Sequence, residues 1–152
     1  MRIRAADPGE HRLLSEIAYQ SKAHWGYRSA DLDAWHADLT VTRESMLEHT
    51  TVVAEIDGVV VGFYQQHLEG SHAVLDHLWV LPAFMGRRVG AALVAHAGQH
   101  ARAGGAREMR IDADPHAEAF YASHGAVRVG QVSAPVEGEP HRVRPQLVLA
   151  LR

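Results

Sequence analysis

VLDHLWVLPAFMGRRVGAALVAHAGQHARAG, residues 74–104, decides how this chain is read. Leu75 to Leu81 is mostly apolar and carries Val and Trp, as a strand buried on both faces would. Pro82 closes it, because proline has no N–H to give to a sheet ladder. Met85, Gly86, Arg87, Arg88, Val89, Gly90 and Ala91 then lead into a helix, in which Leu93, Ala97 and Ala101 recur every four residues beside Val94. Gly104-Gly105 stops that helix. The first turn of a helix has N–H groups without helical partners and a dipole equivalent to roughly +0.5 charge. Glycine admits a ligand close to the backbone, and two arginines add positive charge. A phosphate or pyrophosphate is the guest this turn suits. The plainer alternative is a strand-turn-helix whose arginines are merely solvated.

The remaining elements follow in order. Met1 to Ala5 alternates as a first strand. Asp7-Pro8 caps a helix over about Gly9 to Lys22, with Leu13, Leu14, Ile17 and Ala18 on one face. Trp25 and Tyr27 flank Gly26 in a loop, where burial of Trp25 against the core competes with a role in a substrate pocket. Ser29 to Ala37 reads as a short helix capped by Ser29 and carrying Leu32 and Trp35. Thr42 to His49 reads as a third helical piece. Thr51 to Ile56, Val59 to Leu68 and Ala73 to Leu81 form a meander, its first turn the Asp57-Gly58 pair that suits a type I′ hairpin. Past the long helix come a parallel strand at Arg107 to Ile111, a helix at Asp114 to His124 with proline at N1, and a strand at Ala126 to Val132. An irregular polar loop at Ser133 to Pro145 precedes a last strand at Gln146 to Leu151. The order predicts an α/β (α+β) fold with a mixed, mostly antiparallel sheet of about 6–7 strands flanked by helices.

Composition narrows the function. A chain of 152 residues reads as one domain over 1–152. The net charge of −3 argues against a nucleic-acid partner. No apolar run is long enough for a membrane span, and the N-terminus has no signal-peptide core, so a cytoplasmic location is the default. With no cysteine, disulfides, cysteine-zinc sites and a cysteine nucleophile are excluded. Lys22 is the sole lysine, so a lysine nucleophile would have to be that residue. His96 and His100 stand at i, i+4 but lack the flanking Glu of a zinc motif and lie beside the apolar stripe, so no metal is expected.

Two blocks resemble the GNAT acetyltransferase superfamily. Val80-Leu81-Pro82 matches its strand end, and Met85, Arg88 and Gly90 fall on the three positions of its Gln/Arg-x-x-Gly-x-Gly/Ala motif. Gly90 agrees with that motif, whereas Met85 stands in place of Gln or Arg and Arg88 in place of the first Gly. Asp114-Pro115-His116-Ala117-Glu118-Ala119-Phe120-Tyr121, followed by Gly125-Ala126, resembles the family's Asn-x-x-Ala-x-x-x-Tyr signature, with Asp114 at the Asn position.

The resemblance implies acetyl transfer from acetyl-CoA to a primary amine of a small molecule or peptide. Met85 to Ala91 would hold the pyrophosphate, with Asp114, Ala117 and Tyr121 completing the cofactor site. A backbone N–H near Leu78, Trp79 or Val80 would meet the thioester oxygen. Tyr121 matches the family tyrosine that protonates the leaving thiolate. The base is Asp76, where relatives often carry Glu, or His77, its rival on the opposite face. Asp76 lies among Leu75, Leu78 and Val80 and is expected to be a buried carboxylate. Trp25, Tyr27 and Trp35 would line the acceptor pocket. The alternative is a catalytically weak GNAT-like module that binds CoA or another anion. Oligomeric state is open, a homodimer being one option.

Overall fold

A computed structural model describes residues 1–152. The elements are β1 (Arg2–Ala5), α1 (His11–Ala23), α2 (Ser29–Ala34), α3 (His36–Leu39), α4 (Arg43–Glu48), β2 (Thr50–Ile56), β3 (Val59–Glu69), β4 (His72–Val80), α5 (Val89–Ala103), β5 (Glu108–Asp112), α6 (Glu118–Ser123), β6 (Val127–Ser133) and β7 (Val143–Ala150). Seven strands hydrogen-bond in the order β1-β2-β3-β4-β5-β7-β6. β4 and β5 run parallel, as a helical crossover between them requires, and β1–β2, β2–β3, β5–β7 and β6–β7 are antiparallel. The sheet is thus mixed and mostly antiparallel. The chain divides into two compact units, Met1–Gln66 with His77–Ala97, and His67–Asp76 with Gly98–Arg152.

In the first unit Asp7 starts the helical run. Its carboxylate accepts from Gly9 N–H at 2.8 Å, and Glu10 accepts from Asp7 N–H at 2.8 Å, a reciprocal capping box. Arg4 grips Glu10 through two 2.9 Å bonds, and that hydrogen bonding holds the Glu10 carboxyl below its ordinary range. Leu14, Ile17 and Ala18 of α1 are buried with Leu39, Val41, Met46, Val53, Val60 and Phe63 in one core. Leu13, expected on that face, is exposed, because it lies about 100° around the helix from Leu14. The helix expected over 29–37 breaks at Trp35 (φ −93°, ψ 7°) into α2 and α3. Arg28, not Ser29, occupies the N-cap, and its side chain does not cap the helix. The Asp57-Gly58 turn has φ of 51° and 78°, the paired positive values of a type I′ hairpin.

β3 is sandwiched. Phe63 belongs to the core beneath α1. Its neighbours Gly62, Tyr64 and Gln66 meet α5: Gly62 lies against Val89 and Leu93, Tyr64 Oη is 2.8 Å from His96 Nδ1, and Gln66 Nε2 donates to the Ala97 carbonyl at 3.1 Å. Every second residue of the strand thus meets one stripe of the helix. This explains why Val60 to Gln66 is buried without interruption.

In the second unit β4 and β5 pair over His72–Leu75 and Glu108–Ile111. Met109 and Ile111 are buried while Arg110 between them is exposed. β7 begins at Val143, not at Gln146, so the irregular stretch is shorter than expected. Pro145 lies within β7 opposite Gln131, and its carbonyl accepts from Ala113 N–H at 3.0 Å. β6 is the edge strand and exposed throughout, with a register shift between Arg128 and Gly130 that marks a bulge, a common way to blunt an edge.

Candidate functional site

The end of β4 from His77, the turn and α5 as far as Ala97 lie in the first unit. β4 ends at Val80, Leu81 N–H donates to the Val61 carbonyl at 2.8 Å, and Pro82–Phe84 makes one 3-10 turn. Gly86 (φ 78°) and Arg88 (φ 63°) both adopt left-handed backbone before α5 begins. The Arg88 carbonyl accepts from Ala92 N–H at 3.0 Å, so the N–H groups of Val89, Gly90 and Ala91 belong to the turn that has no helical acceptors. The two arginines differ. The Arg87 guanidinium packs over the Phe84 ring at 5.2 Å, whereas Arg88 closes the turn with its backbone. Left-handed φ at Arg88 is the physical reason a glycine suits that position. An L-residue there carries a cost of about 1 kcal/mol. Arg88→Gly is therefore expected to raise unfolding stability by roughly 0.5–1 kcal/mol in urea titration. An unchanged or lowered midpoint would show that the arginine side chain more than offsets the strain.

The other expected residues of β4 are arranged as follows. Trp79 and Leu81 pack against the first unit's core. The Trp79 indole N–H donates to His77 Nδ1 at 3.0 Å. An indole nitrogen only donates, so neutral His77 carries its proton on Nε2 and presents a donor there. Leu78 and Val80 are half-buried. The Val80 carbonyl lies 2.7 Å from Ser21 Oγ.

Asp76 belongs to the second unit and is not the buried carboxylate expected from its apolar neighbours. It is exposed, and its Oδ2 lies 2.7 Å from His67 Nδ1. His67 Nε2 is 3.0 Å from Glu69, whose other oxygen is 3.4 Å from His72 Nε2. Burial lowers the affinity of His67 for its proton, but the hydrogen bonds from Asp76 and Glu69 outweigh it, and its pKa lies above the ordinary 6.5. A raised histidine pKa contributes stability that is fully present below about pH 6.5 and is lost as pH rises through the folded value. His67→Gln should therefore destabilise the fold measurably at pH 5.5 and much less at pH 9 in denaturant titrations. An equal effect at both pH values would sink the charged bridge.

Asp114 and Tyr121 also lie in the second unit. Asp114 caps the 3-10 turn Pro115–Ala117, accepting from His116 N–H at 2.8 Å and lying 2.9 Å from His116 Nδ1. Its second oxygen accepts from Arg142 Nη2 at 3.3 Å, while Arg142 Nη1 donates to the Ala134 carbonyl at 2.8 Å. The Asp114 and Arg142 side chains are only 8% and 5% exposed, a buried carboxylate paired with a buried guanidinium. Ala117 N–H closes the turn onto the Asp114 carbonyl at 2.9 Å. Tyr121 is buried beside Phe120, ring centroids 5.2 Å apart, and burial raises its phenol well above the usual value of 10.

Of the aromatics expected around the acceptor, two meet. Tyr27 and Trp35 pack edge-to-face at 4.8 Å, and the Lys22 ammonium sits over both rings, at 5.1 and 4.6 Å. Trp25 packs edge-on against His24 at 5.1 Å and is 39% exposed, not tucked onto the core. Sequence reasoning passed over His67 as the neighbour of Asp76. A cavity of about 730 Å³ lies along α1 and the α3–α4 segment, lined by Ser15, Tyr19, His36, Leu39, Val41 and Thr42 among others, and contains none of the expected site residues. His96 Nδ1 stands 2.8 Å from the Tyr64 hydroxyl. No helix is long and apolar enough to cross a membrane.

Residues 13–126 match the acetyltransferase (GNAT) family, and the chain belongs to that family. No curated protein matches it. Among solved structures it is similar to the GCN5-related N-acetyltransferase (Aminotransferase, Class-II) from Rhodopseudomonas palustris, with a TM-score of 0.79 and 25% identity over 99% of this chain and 95% of that one. The PaiA N-acetyltransferase from Thermoplasma acidophilum, in complex with coenzyme A, gives 0.76 and 17%, over 98% of both chains. YncA from Salmonella typhimurium, with its cofactor acetyl-CoA, gives 0.73 and 23%, over 100% of this chain and 94% of that one.

Proposed function

We propose that the chain is an acetyl-CoA-dependent N-acetyltransferase acting on a primary amine of a small molecule or peptide. The observation that carries this reading is the turn from Met85 to Ala91. Arg88, left-handed, precedes the Val89, Gly90 and Ala91 N–H groups of the first turn of α5, where the helix dipole favours the pyrophosphate.

In this reading a β4 N–H at Leu78, Trp79 or Val80 receives the thioester oxygen as it becomes negative. The acceptor nitrogen gives up its proton to Asp76, directly or through one water, and attacks the carbonyl carbon. A lysine-type amine has a reference pKa of about 10.4, so this deprotonation is needed near neutrality. The C–N bond forms, the C–S bond breaks, and the Tyr121 hydroxyl donates to the departing thiolate. The amide nitrogen sheds its remaining ammonium proton to solvent as the intermediate collapses, and the proton on Asp76 restores Tyr121. Trp79 occupies the His77 Nδ1 lone pair, which favours Asp76 over His77 as base and leaves His77 a donor. Tyr27 and Trp35 line the acceptor side.

A thermal-shift titration with acetyl-CoA, CoA and ATP, run beside thiol release over an amine panel, tests this. A ligand at about 100 times its Kd adds roughly 2.7 kcal/mol. Stabilisation by acetyl-CoA with amine-dependent thiol release is expected. Stabilisation without release on any amine would identify the CoA-binding module instead. No response to either CoA species would overturn the reading of the turn.

A further inference from the structure

Ser21 is a serine where packing asks for a hydrocarbon. It follows Leu14, Ile17 and Ala18 on the buried face of α1 and is itself 1% exposed. Alanine would fill that stripe with better helix propensity, so packing alone does not account for the hydroxyl. Ser21 Oγ stands 2.7 Å from the Val80 carbonyl, 59 positions away in sequence, and 2.7 Å from the Ile17 carbonyl one turn back on its own helix.

The hydroxyl has one proton and serves one of these carbonyls at a time. The Ile17 carbonyl already has its helical role, so it is a fallback that keeps the proton satisfied when Val80 is engaged elsewhere. The Val80 carbonyl and the Leu81 N–H belong to one planar peptide and point in opposite directions. Leu81 N–H is tied to the Val61 carbonyl at 2.8 Å, so the Val80 carbonyl projects to the edge of β4 away from β3. In extended chain a residue's own N–H leaves on the same side as its C=O. Ser21 and Val61 together therefore clamp the Val80–Leu81 peptide from both ends, and the clamp sets the direction of the Val80 N–H.

We infer that Ser21 is a positioning residue of the thioester site, aiming the Val80 N–H at the thioester oxygen by holding the Val80 carbonyl. This rests on the function proposed above, which places that oxygen at the end of β4. Ser21 touches neither substrate nor reacting atoms and acts through the strand backbone.

Calorimetric titration of wild type, Ser21→Ala and Ser21→Thr with acetyl-CoA and with CoA tests it. CoA has no thioester oxygen, so the two ligands separate aim from general integrity. Ser21→Ala should bind CoA within about twofold of wild type but acetyl-CoA about tenfold more weakly, the scale of one well-made hydrogen bond. Ser21→Thr, which keeps the hydroxyl, should restore the acetyl-CoA affinity. The turnover of Ser21→Ala should fall by a similar factor at saturating acetyl-CoA. Equal weakening of both ligands, or none, would overturn the inference and reduce Ser21 to a structural bond between α1 and β4. Failure of the wild type to bind either ligand would overturn the proposed function, and this positioning role with it.

Discussion

Gly62→Ala lowers the stability of the fold by about 2–3 kcal/mol, and urea titration reads it as a shifted midpoint at unchanged slope. A Cβ at this site of β3 would stand 2.8 Å from the Trp79 carbonyl oxygen, 3.2 Å from Leu93 Cδ1 and 3.3 Å from Val89 Cγ1. The first of these is backbone of the paired strand and cannot rotate aside. The other two are the first apolar contacts of α5, and Leu93 and Val89 are themselves buried. The methyl must therefore push β4 or α5 away from β3. For a chain of this size the loss corresponds to a fall of roughly 5–10 °C in Tm. Because Val89 opens α5 just after the left-handed turn, acetyl-CoA affinity should fall with stability. Gly98→Ala is the control. It lies inside α5, where a Cβ meets only Leu151 Cδ2 at 3.4 Å, and exchanging a helical glycine for alanine gains up to about 1 kcal/mol. Opposite signs for the two glycines are expected. A Gly62→Ala variant as stable as wild type would mean that β3, β4 and α5 are less closely packed than these distances require.

The parts of the fold legible in the sequence are those written locally. Asp57-Gly58 between two apolar runs fixes its hairpin with dihedrals only a few residue types accept. The strand ended by Pro82 and the helix stopped by Gly104 are set by backbone chemistry at single positions. What escaped depends on partners far along the chain or across a hairpin. Asp114 meets Arg142 from a loop with no motif, and Asp76 meets His67 through a strand register that periodicity does not supply. Asp76 is expected to be buried because Leu78 and Val80 share its face, yet those two are themselves only half-buried, and the neighbour that takes its carboxylate is His67 of the adjoining strand. Trp35 interrupts a helix whose apolar spacing looked continuous, since its ring packs against the core while Lys22 sits over it. Arg88 showed as a departure from a motif, but only its φ explains why the motif wants glycine. Ser21 did leave a signal. It continues the Leu14, Ile17, Ala18 spacing at i+7, and a hydroxyl on such a stripe asks what it bonds.

Tyr121→Phe is expected to lower the turnover number about a hundredfold, the scale of a lost general acid, while acetyl-CoA affinity stays within about twofold. The substitution keeps the ring, its 5.2 Å contact with Phe120 and nearly all the buried volume, so the melting temperature should hardly move. The argument turns on protonation. Burial lifts the Tyr121 phenol above its ordinary value of 10, so the hydroxyl keeps its proton across the working range. The same shift makes it a weaker acid toward a thiolate whose reference value is about 8.5. Desolvation raises a thiolate as it raises a phenolate, so the proton would pass between two groups displaced in the same direction. The pH profile follows from this. Wild-type activity should show no basic limb from Tyr121 below pH 10, and the loss in the phenylalanine variant should be uniform between pH 7 and 9.5. A loss that grows with pH would mean that the phenol ionises in that range and burial does not hold its proton. A variant within threefold of wild type at every pH would make Tyr121 a core aromatic only, with water left to protonate the thiolate.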